Sequence, residues 1–266
     1  MFILATNDDG VEAPGLAALA RALARAVGPE GRVIVVAPEV EQSAVGHAVT
    51  LADPIKVRKL KRNGGEWGWA VRGTPADCVK LACWQLLEGR RPDLVVSGIN
   101  RGANTGLNLL YSGTVSAATE AAFLGLTGIA FSLDSFELEA DYGPAAALAG
   151  ELTIRVLERR MRPGAVLNVN FPYRSGLSLT DCVITRQGLT PMKDNFIRRR
   201  DPRGGLYYWQ ATEKVDPAGP TLHQTLTDQQ ALAQGRVSIT PVQFDLTNHR
   251  LTEELGSQLL DPVSED

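Results

Sequence analysis

The sequence predicts an α/β protein: a mostly parallel sheet with helices on both faces. Three observations carry this expectation. Short, continuous apolar runs such as Phe2–Ala5 (FILA) and Arg32–Ala37 (RVIVVA) alternate with Ala- and Leu-rich stretches of helical spacing. The runs lack polar alternation, as strands covered on both faces require. Each ends in a polar segment, as strands entering loops at a sheet edge do.

The elements follow in order. Phe2–Ala5 is a buried strand that ends at Asn7-Asp8-Asp9-Gly10, and Gly15–Ala26 is a helix. Arg32–Ala37 is the second strand, closed by Pro38 and a polar loop. Ile55–Leu60 and Trp67–Val71 form a hairpin about Asn63-Gly64-Gly65, a turn-forming triplet. Pro75 opens a helix to about Leu87, since proline suits a first turn. Asp93–Val96 is a strand, followed by a long Gly/Asn loop, Gly98–Tyr111. Val115–Leu124 is helical, Gly128–Leu133 a strand, Pro144–Arg159 a helix and Ala165–Asn170 a strand. Residues 1–180 therefore read as the core. Residues 181–266 read as an extension for packing and oligomerisation that partly returns to the core. The extension is polar and carries the basic run Arg198–Arg200, the aromatic run Tyr207–Trp209 and late strands at Val237–Thr240 and Val242–Leu246.

Composition narrows the function. At 266 residues and 44% hydrophobic, the chain can bury a core without covalent staples. Its net charge of −3 leaves no basic surplus for binding a nucleic-acid polymer, although one local site can still hold a small phosphorylated ligand. Cys78, Cys83 and Cys182 are odd in number and form no CxxC, so neither a disulfide framework nor a structural zinc site is expected. No basic leader and no membrane-length apolar run is visible, so a soluble, cytoplasmic protein is expected.

In an open parallel sheet, ligands bind beyond the carboxyl ends of the strands. Four polar clusters fall there: Asn7–Gly10; Pro38–His47, with Glu41, Gln42, Ser43 and His47; Ser97–Gly106, with Asn100, Arg101 and Asn104; and Ser112-Gly113-Thr114. The adjacent carboxylates Asp8 and Asp9 repel each other unless a cation lies between them. As oxygen ligands they suit Mg²⁺ or Mn²⁺, and Ser43 and Asn100 can add neutral oxygens. Equally, one Asp can cap the following helix while the other faces water. The loop Gly98–Gly106 (GINRGANTG) lets backbone amides approach an anion, though such composition also makes surface turns. Ser112, Gly113 and Thr114 open a helix whose N-terminus suits phosphate, or serve as a plain cap. Thr74 and Asp77 read as a structural helix cap. His47 is a minor acid/base candidate, and Glu120 reads as a partnered or surface carboxylate rather than a catalytic one.

Together, TNDDG (6–10), QSA (42–44), GTPADCV (73–79), SGINRGANTG (97–106), YSGTVSAATE (111–120), NVNFP (168–172) and VSITP (237–241) resemble the SurE survival-protein family, in order and over nearly the whole chain. The resemblance implies a Rossmann-like core and a homodimer or homotetramer built through the C-terminal extension. It implies a metal-dependent phosphatase of nucleoside monophosphates, at the 5′ or 3′ phosphate, with short polyphosphate as a further substrate of some members. One divalent ion per subunit (Mg or Mn) would be held by Asp8, Asp9, Ser43 and Asn100, with Asp8 and Asp9 catalytic. Phosphate would meet Ser112, Gly113 and Thr114, aided by the loop at Asn104. Ser116 departs from the family, where Gly is usual. Attack by water and attack by Asp8 both remain open. Haloacid-dehalogenase phosphatases need two Asp separated by one residue, and a dinucleotide site needs a Gly-rich first turn; neither is present. The alternative is a non-catalytic nucleotide- or metal-sensing module.

Overall fold

The computed structural model describes residues 1–62, 65–189, 193–213 and 225–259. Its centre is β1 (Phe2–Thr6), joined by α1 (Pro14–Val27) to β2 (Arg32–Pro38). The hairpin of β3 (Lys56–Arg62) and β4 (Gly65–Arg72) follows; its turn residues 63–64 lie outside the described residues. Then come α2 (Pro75–Leu81), β5 (Leu94–Arg101), α3 (Gly113–Phe123), β6 (Thr127–Asp134), α4 (Gly143–Glu158) and β7 (Val166–Pro172). The remainder supplies β8 (Cys182–Ile184), β9 (Lys193–Arg200), β10 (Leu206–Glu213), α5 (Asp228–Ala233), β11 (Val237–Val242) and α6 (His249–Leu259).

Nine strands form one sheet in the order β3-β4-β2-β1-β5-β6-β7-β11-β8. The six from β4 to β7 run parallel; β3 is antiparallel to β4, and β11 to β7. Successive strand residues enter opposite cores, which is why the runs are apolar throughout. Ile3, Val35 and Val96 join the core under α1 and α4, whereas Leu4, Val36 and Val95 join the core under α2 and α3. The chain builds outward from β1 through β2 and β4, then returns to lay β5 on the other side of β1. The crevice between the ends of β1 and β5 is therefore the topological switch point, where such sheets bind ligands.

The structure corrects four expectations. The glycines of Gly98–Gly106 do not end β5 at Val96. The strand continues to Arg101 through an irregularity between Ser97 and Asn100. Gly98 sits there at φ +132°, where a Cβ would lie 2.2 Å from the Phe131 carbonyl oxygen. It is thus a glycine required by close backbone approach, not by a loop. Within the remaining loop, Gly106–Leu110 forms a 3₁₀ turn. Third, Val242–Leu246 is not a strand. Val242 pairs with Val166, the first residue of β7, so the ladder has no partner beyond it. The helix from Pro75 also changes character, passing into a single π-helical stretch at Ala82–Leu86.

In the C-terminal region, β8 and β11 extend the main sheet, while β9 and β10 pair as a separate hairpin. The Arg198–Arg200 run lies opposite Leu206–Tyr208, and Phe196, Tyr208 and Trp209 are exposed. The three cysteines are free, with Cys78 buried. Among the described residues, no helix is long and apolar enough to cross a membrane.

Candidate metal and phosphate site

The end of β1 is shaped by short-range bonds. The Asn7 side-chain amide donates to the Gly10 carbonyl at 2.8 Å, folding Asp8 and Asp9 into a tight turn. Gly10 adopts φ +95° against the backbone of Val40 and Glu41. The Gln42 amide donates to the Asp8 carbonyl at 2.7 Å, which fastens the loop after β2 beside the acid pair.

Asp8, Asp9, Ser43 and Asn100 line one open cleft of about 370 Å³ at the switch point. Asp8 is buried, and the Thr114 hydroxyl donates to its Oδ1. Burial pushes the Asp8 carboxyl up, and bonds from the Thr114 hydroxyl and amide offset this only in part. The Arg101 amide donates to Asp9 Oδ2 at 3.0 Å. Burial first, and then the charge of Asp8, push Asp9 up to about 7. Such a pair resists carrying two negative charges unless a cation compensates them, so these residues fit a hard divalent ion.

The neutral donors fit as well. The Ser43 hydroxyl donates to Glu41 Oε1 at 2.6 Å, which leaves its oxygen lone pairs available. Asn100 donates its side-chain amide to the Gly102 and Arg101 carbonyls at 2.8 and 3.3 Å, which leaves its carbonyl oxygen as the ligating end. Among the described residues, no three His, Cys, Asp or Glu side chains form a metal-binding group. The candidate centre is thus two carboxylates plus neutral oxygens.

The turn expected to hold phosphate stands against the acid pair. A Cβ on Gly113 would lie 2.8 Å from Asp8 Cβ. Its side chains, however, are committed locally. Ser112 caps α3 by accepting from the Val115 amide at 3.1 Å, although it still lines the cleft. Thr114 is fully buried with its hydroxyl on Asp8, so its observed contact is with the carboxylate rather than with the anion space. Asn104 also lines the cleft, but its amide donates to Asn170 Oδ1 at 2.7 Å and its side chain to Ser132 Oγ at 2.8 Å. Asn168 donates to the Asn104 carbonyl at 2.7 Å. Asn104 is a structural hub tying the loop to β6 and β7. Ser116 donates its hydroxyl to the Ser112 carbonyl at 2.7 Å and so packs within its own helix.

His47 does not line the cleft. Its Nε2 lies 2.9 Å from Glu120 Oε2, and Lys80 lies 3.1 Å from Glu120 Oε1. Burial raises the buried Glu120 carboxyl, but the bonds to His47 and Lys80 outweigh it and hold the group below its ordinary value. This pair straps down the loop that carries Ser43. Three further ties do the same: the Gly46 amide to the Tyr111 carbonyl at 2.9 Å, the Thr74 hydroxyl to the Ala48 carbonyl at 2.7 Å, and the Thr50 hydroxyl to Asp77 at 2.6 Å. Thr74 and Asp77 form the expected capping box.

From the strand-end clusters, Arg101 and Glu41 face the acids, with 3.9 Å between their charged ends. Two cleft residues lie outside the sequence's candidates: Tyr111 and Phe136, which present exposed aromatic faces. Phe136 follows β6, so the strand-end rule applied to that strand points to it.

Comparison with known proteins places the chain and its fold. The family model described as "Survival protein SurE" matches residues 3–194. The 5′-nucleotidase SurE of Syntrophobacter fumaroxidans is 45% identical over 260 residues, covering 96% of this chain and 98% of its own. That of Thermosynechococcus vestitus is 46% identical over 261 residues, covering 97% of each. The crystal structure of the SurE protein from Aquifex aeolicus superposes with a TM-score of 0.78 at 38% identity, covering 97% of this chain and 99% of that one. An ordered set of strand-end motifs, a matching fold and near-complete coverage lead to one conclusion: this chain belongs to the SurE survival-protein family.

Proposed function

We propose that this protein is a metal-dependent phosphomonoesterase that hydrolyses nucleoside 5′- and 3′-monophosphates in the cytoplasm, with short polyphosphate as a further substrate. The carrying observation is the adjacent acid pair at the switch-point crevice, Asp8 buried and Asp9 partly exposed, with the N-terminus of α3 pressed against Asp8. The relatives bearing the name 5′-nucleotidase support the substrate class.

Asp8, Asp9, Ser43 and Asn100 would hold one Mg²⁺ or Mn²⁺. Such an ion supplies Lewis-acid neutralisation of phosphoryl charge. The remaining work falls to the chain. The N-terminus of α3 at Ser112 and Gly113 presents positive dipole character toward the anion. Arg101 places a guanidinium in the same cleft. The Thr114 hydroxyl locks one oxygen of Asp8 and so fixes the orientation of its carboxylate. Tyr111 and Phe136 offer ring faces on which a nucleobase can stack. A two-stranded hairpin is marginal alone, so the exposed aromatics of β9 and β10 are assigned to self-association as a homodimer or homotetramer, which sedimentation velocity measures.

The test is phosphate release from 5′-AMP, 3′-AMP, other nucleoside monophosphates and short polyphosphate, with Mn²⁺, Mg²⁺ or EDTA. Release should require a divalent ion and fall on the order of 10³-fold in Asp8→Asn and Asp9→Asn. Full metal-dependent turnover in either variant would remove the assignment. Nucleotide binding without release would mark a sensor instead. An acid-stable acyl-phosphate trapped on Asp8 identifies the carboxylate as nucleophile; without it, attack belongs to water.

A further inference from the structure

We infer that Asp228 of the C-terminal region is a positioning residue for the turn Gly106–Ser112, so that the extension completes the anion site rather than only covering the core. The functional half of this inference rests on the phosphomonoesterase reading above.

Asp228 is fully buried and spends its carboxylate on three backbone amides. Oδ2 accepts from Gly106 at 2.8 Å; Oδ1 accepts from Gly188 at 2.9 Å and from Gln229 at 2.8 Å. From the same region, the Gln187 side-chain amide donates to the Gly106 carbonyl at 2.9 Å. The backbone of Gly106 is thus gripped at both its N–H and its carbonyl by residues far away in sequence. Gly106 adopts φ +58°, and a Cβ there would stand 2.8 Å from Gln229 Nε2, so the backbone docks closely under α5.

A capping role alone does not explain this arrangement. Thr227 already caps α5, with its hydroxyl accepting from the Gln230 amide while Gln230 Oε1 accepts from the Thr227 amide. Burial raises the Asp228 carboxyl, and the amide bonds from Gly106, Gly188 and Gln229 offset this only in part. What the carboxylate adds is reach: two of its bonds leave α5, one to Gly106 and one to Gly188.

Gly106 is the entry to the site. Two residues upstream, Asn104 is fixed by Asn168, Asn170 and Ser132. Downstream, the 3₁₀ turn Gly106–Leu110 runs directly into Tyr111 and Ser112, the cap of α3 that faces Asp8. Asn108, Tyr111 and Ser112 all line the cleft. Their placement therefore depends on a clamp at each end, and Asp228 with Gln187 is the clamp at Gly106.

Asp228→Asn in the full-length protein tests this. The single carbonyl oxygen of Asn can still serve Gly188 and Gln229, but its amide would face the Gly106 N–H donor to donor. Hydrogen exchange over residues 104–112 should quicken about tenfold while the central strands keep their protection. With Mn²⁺ bound, the inhibition constant of inorganic phosphate and the KM for 5′-AMP should each rise about tenfold. Mn²⁺ affinity should stay within about twofold, because the acid pair, Ser43 and Asn100 sit on other elements. Gln187→Leu should repeat the pattern at about threefold and stands in if Asp228→Asn does not fold. Unchanged exchange over 104–112 in the folded variants, or phosphate and Mn²⁺ affinities falling together, would overturn the inference. If the parent protein neither binds phosphate nor hydrolyses a nucleotide, the phosphomonoesterase reading fails, while the exchange result still decides the clamp.

Discussion

Gly113→Ala probes the contact between the α3 turn and the acid pair. The added methyl would lie 2.8 Å from Asp8 Cβ, 3.0 Å from Asp8 Oδ2 and 3.1 Å from Pro75 Cγ. Carbon atoms rest at about 3.5 Å or more, so Asp8 and the turn must part by about 0.7 Å. Asp8 Cβ is not the tip of a flexible side chain; it is bonded to a backbone that the Gln42 amide holds at 2.7 Å. Two stability effects oppose each other. Overpacking costs about 1–3 kcal/mol, and exchanging Gly for Ala in a helix returns up to about 1 kcal/mol. A net loss of about 0–3 kcal/mol follows, seen as a fall in Tm. Activity has no such offset, because a displacement approaching 1 Å at a reacting centre costs on the order of 10²-fold. The assay is kcat/KM for 5′-AMP with Mn²⁺, alongside thermal unfolding and Mn²⁺ titration. The expected result is a 10- to 100-fold loss of kcat/KM in a protein that still unfolds cooperatively. A variant within threefold of the parent, with unchanged Mn²⁺ affinity, would refute the idea that this turn and Asp8 form one rigid unit.

Three other perturbations bear on the same site. Asp9 carries a raised folded value of about 7, so in metal-free protein its contribution favours the protonated form and is lost as pH rises through 7. Metal-free Asp9→Asn should therefore unfold at a higher temperature than the parent at pH 8, with the difference shrinking toward pH 5; equal Tm values at pH 8 would contradict the shift. Thr114→Val removes the hydroxyl from a buried carboxylate and should cost about 1.5–3 kcal/mol by urea unfolding, together with a loss of Mn²⁺ affinity; an unchanged midpoint would deny that bond its role. Glu120 is held below its ordinary value, so its stabilisation is complete above the unfolded value near 4.5 and disappears as pH falls through the folded one. Glu120→Gln should lose about 1 kcal/mol at pH 7, a modest figure because its partners His47 and Lys80 are partly exposed, and the loss should shrink as pH falls below 4.5; a loss by urea unfolding that does not change with pH would contradict the shift.

Local pattern made much of the fold legible. Unbroken apolar runs identify two-sided burial, and each strand from β1 to β7 except β5 lies near its expected span. That these residues share a cleft was legible for a related reason: Asp8-Asp9 and Ser43 follow strands, Asn100 lies at the end of β5 and Ser112 opens α3, and a parallel sheet gathers those positions at one edge. Side-chain bonding was not legible. Thr114 and Asn104 have the chemistry of anion donors, yet one spends its hydroxyl on Asp8 and the other serves as a hub for β6 and β7. The glycine-rich stretch after Val96 was misread for a related reason. Glycine signals both loops and close backbone contacts, and only the neighbouring strand distinguishes Gly98 as the latter.

By itself, then, the sequence determined the layered α/β architecture, the family and the edge of the sheet where the chemistry must lie, since periodicity and motif order are properties of neighbouring residues. Tertiary structure alone decided which donors remain available, that Glu120 and His47 strap the Ser43 loop, and that Asp228 reaches Gly106. Those pairings join residues 73 and 122 positions apart, and a hydrogen bond across such a distance depends on how the elements dock rather than on any local pattern.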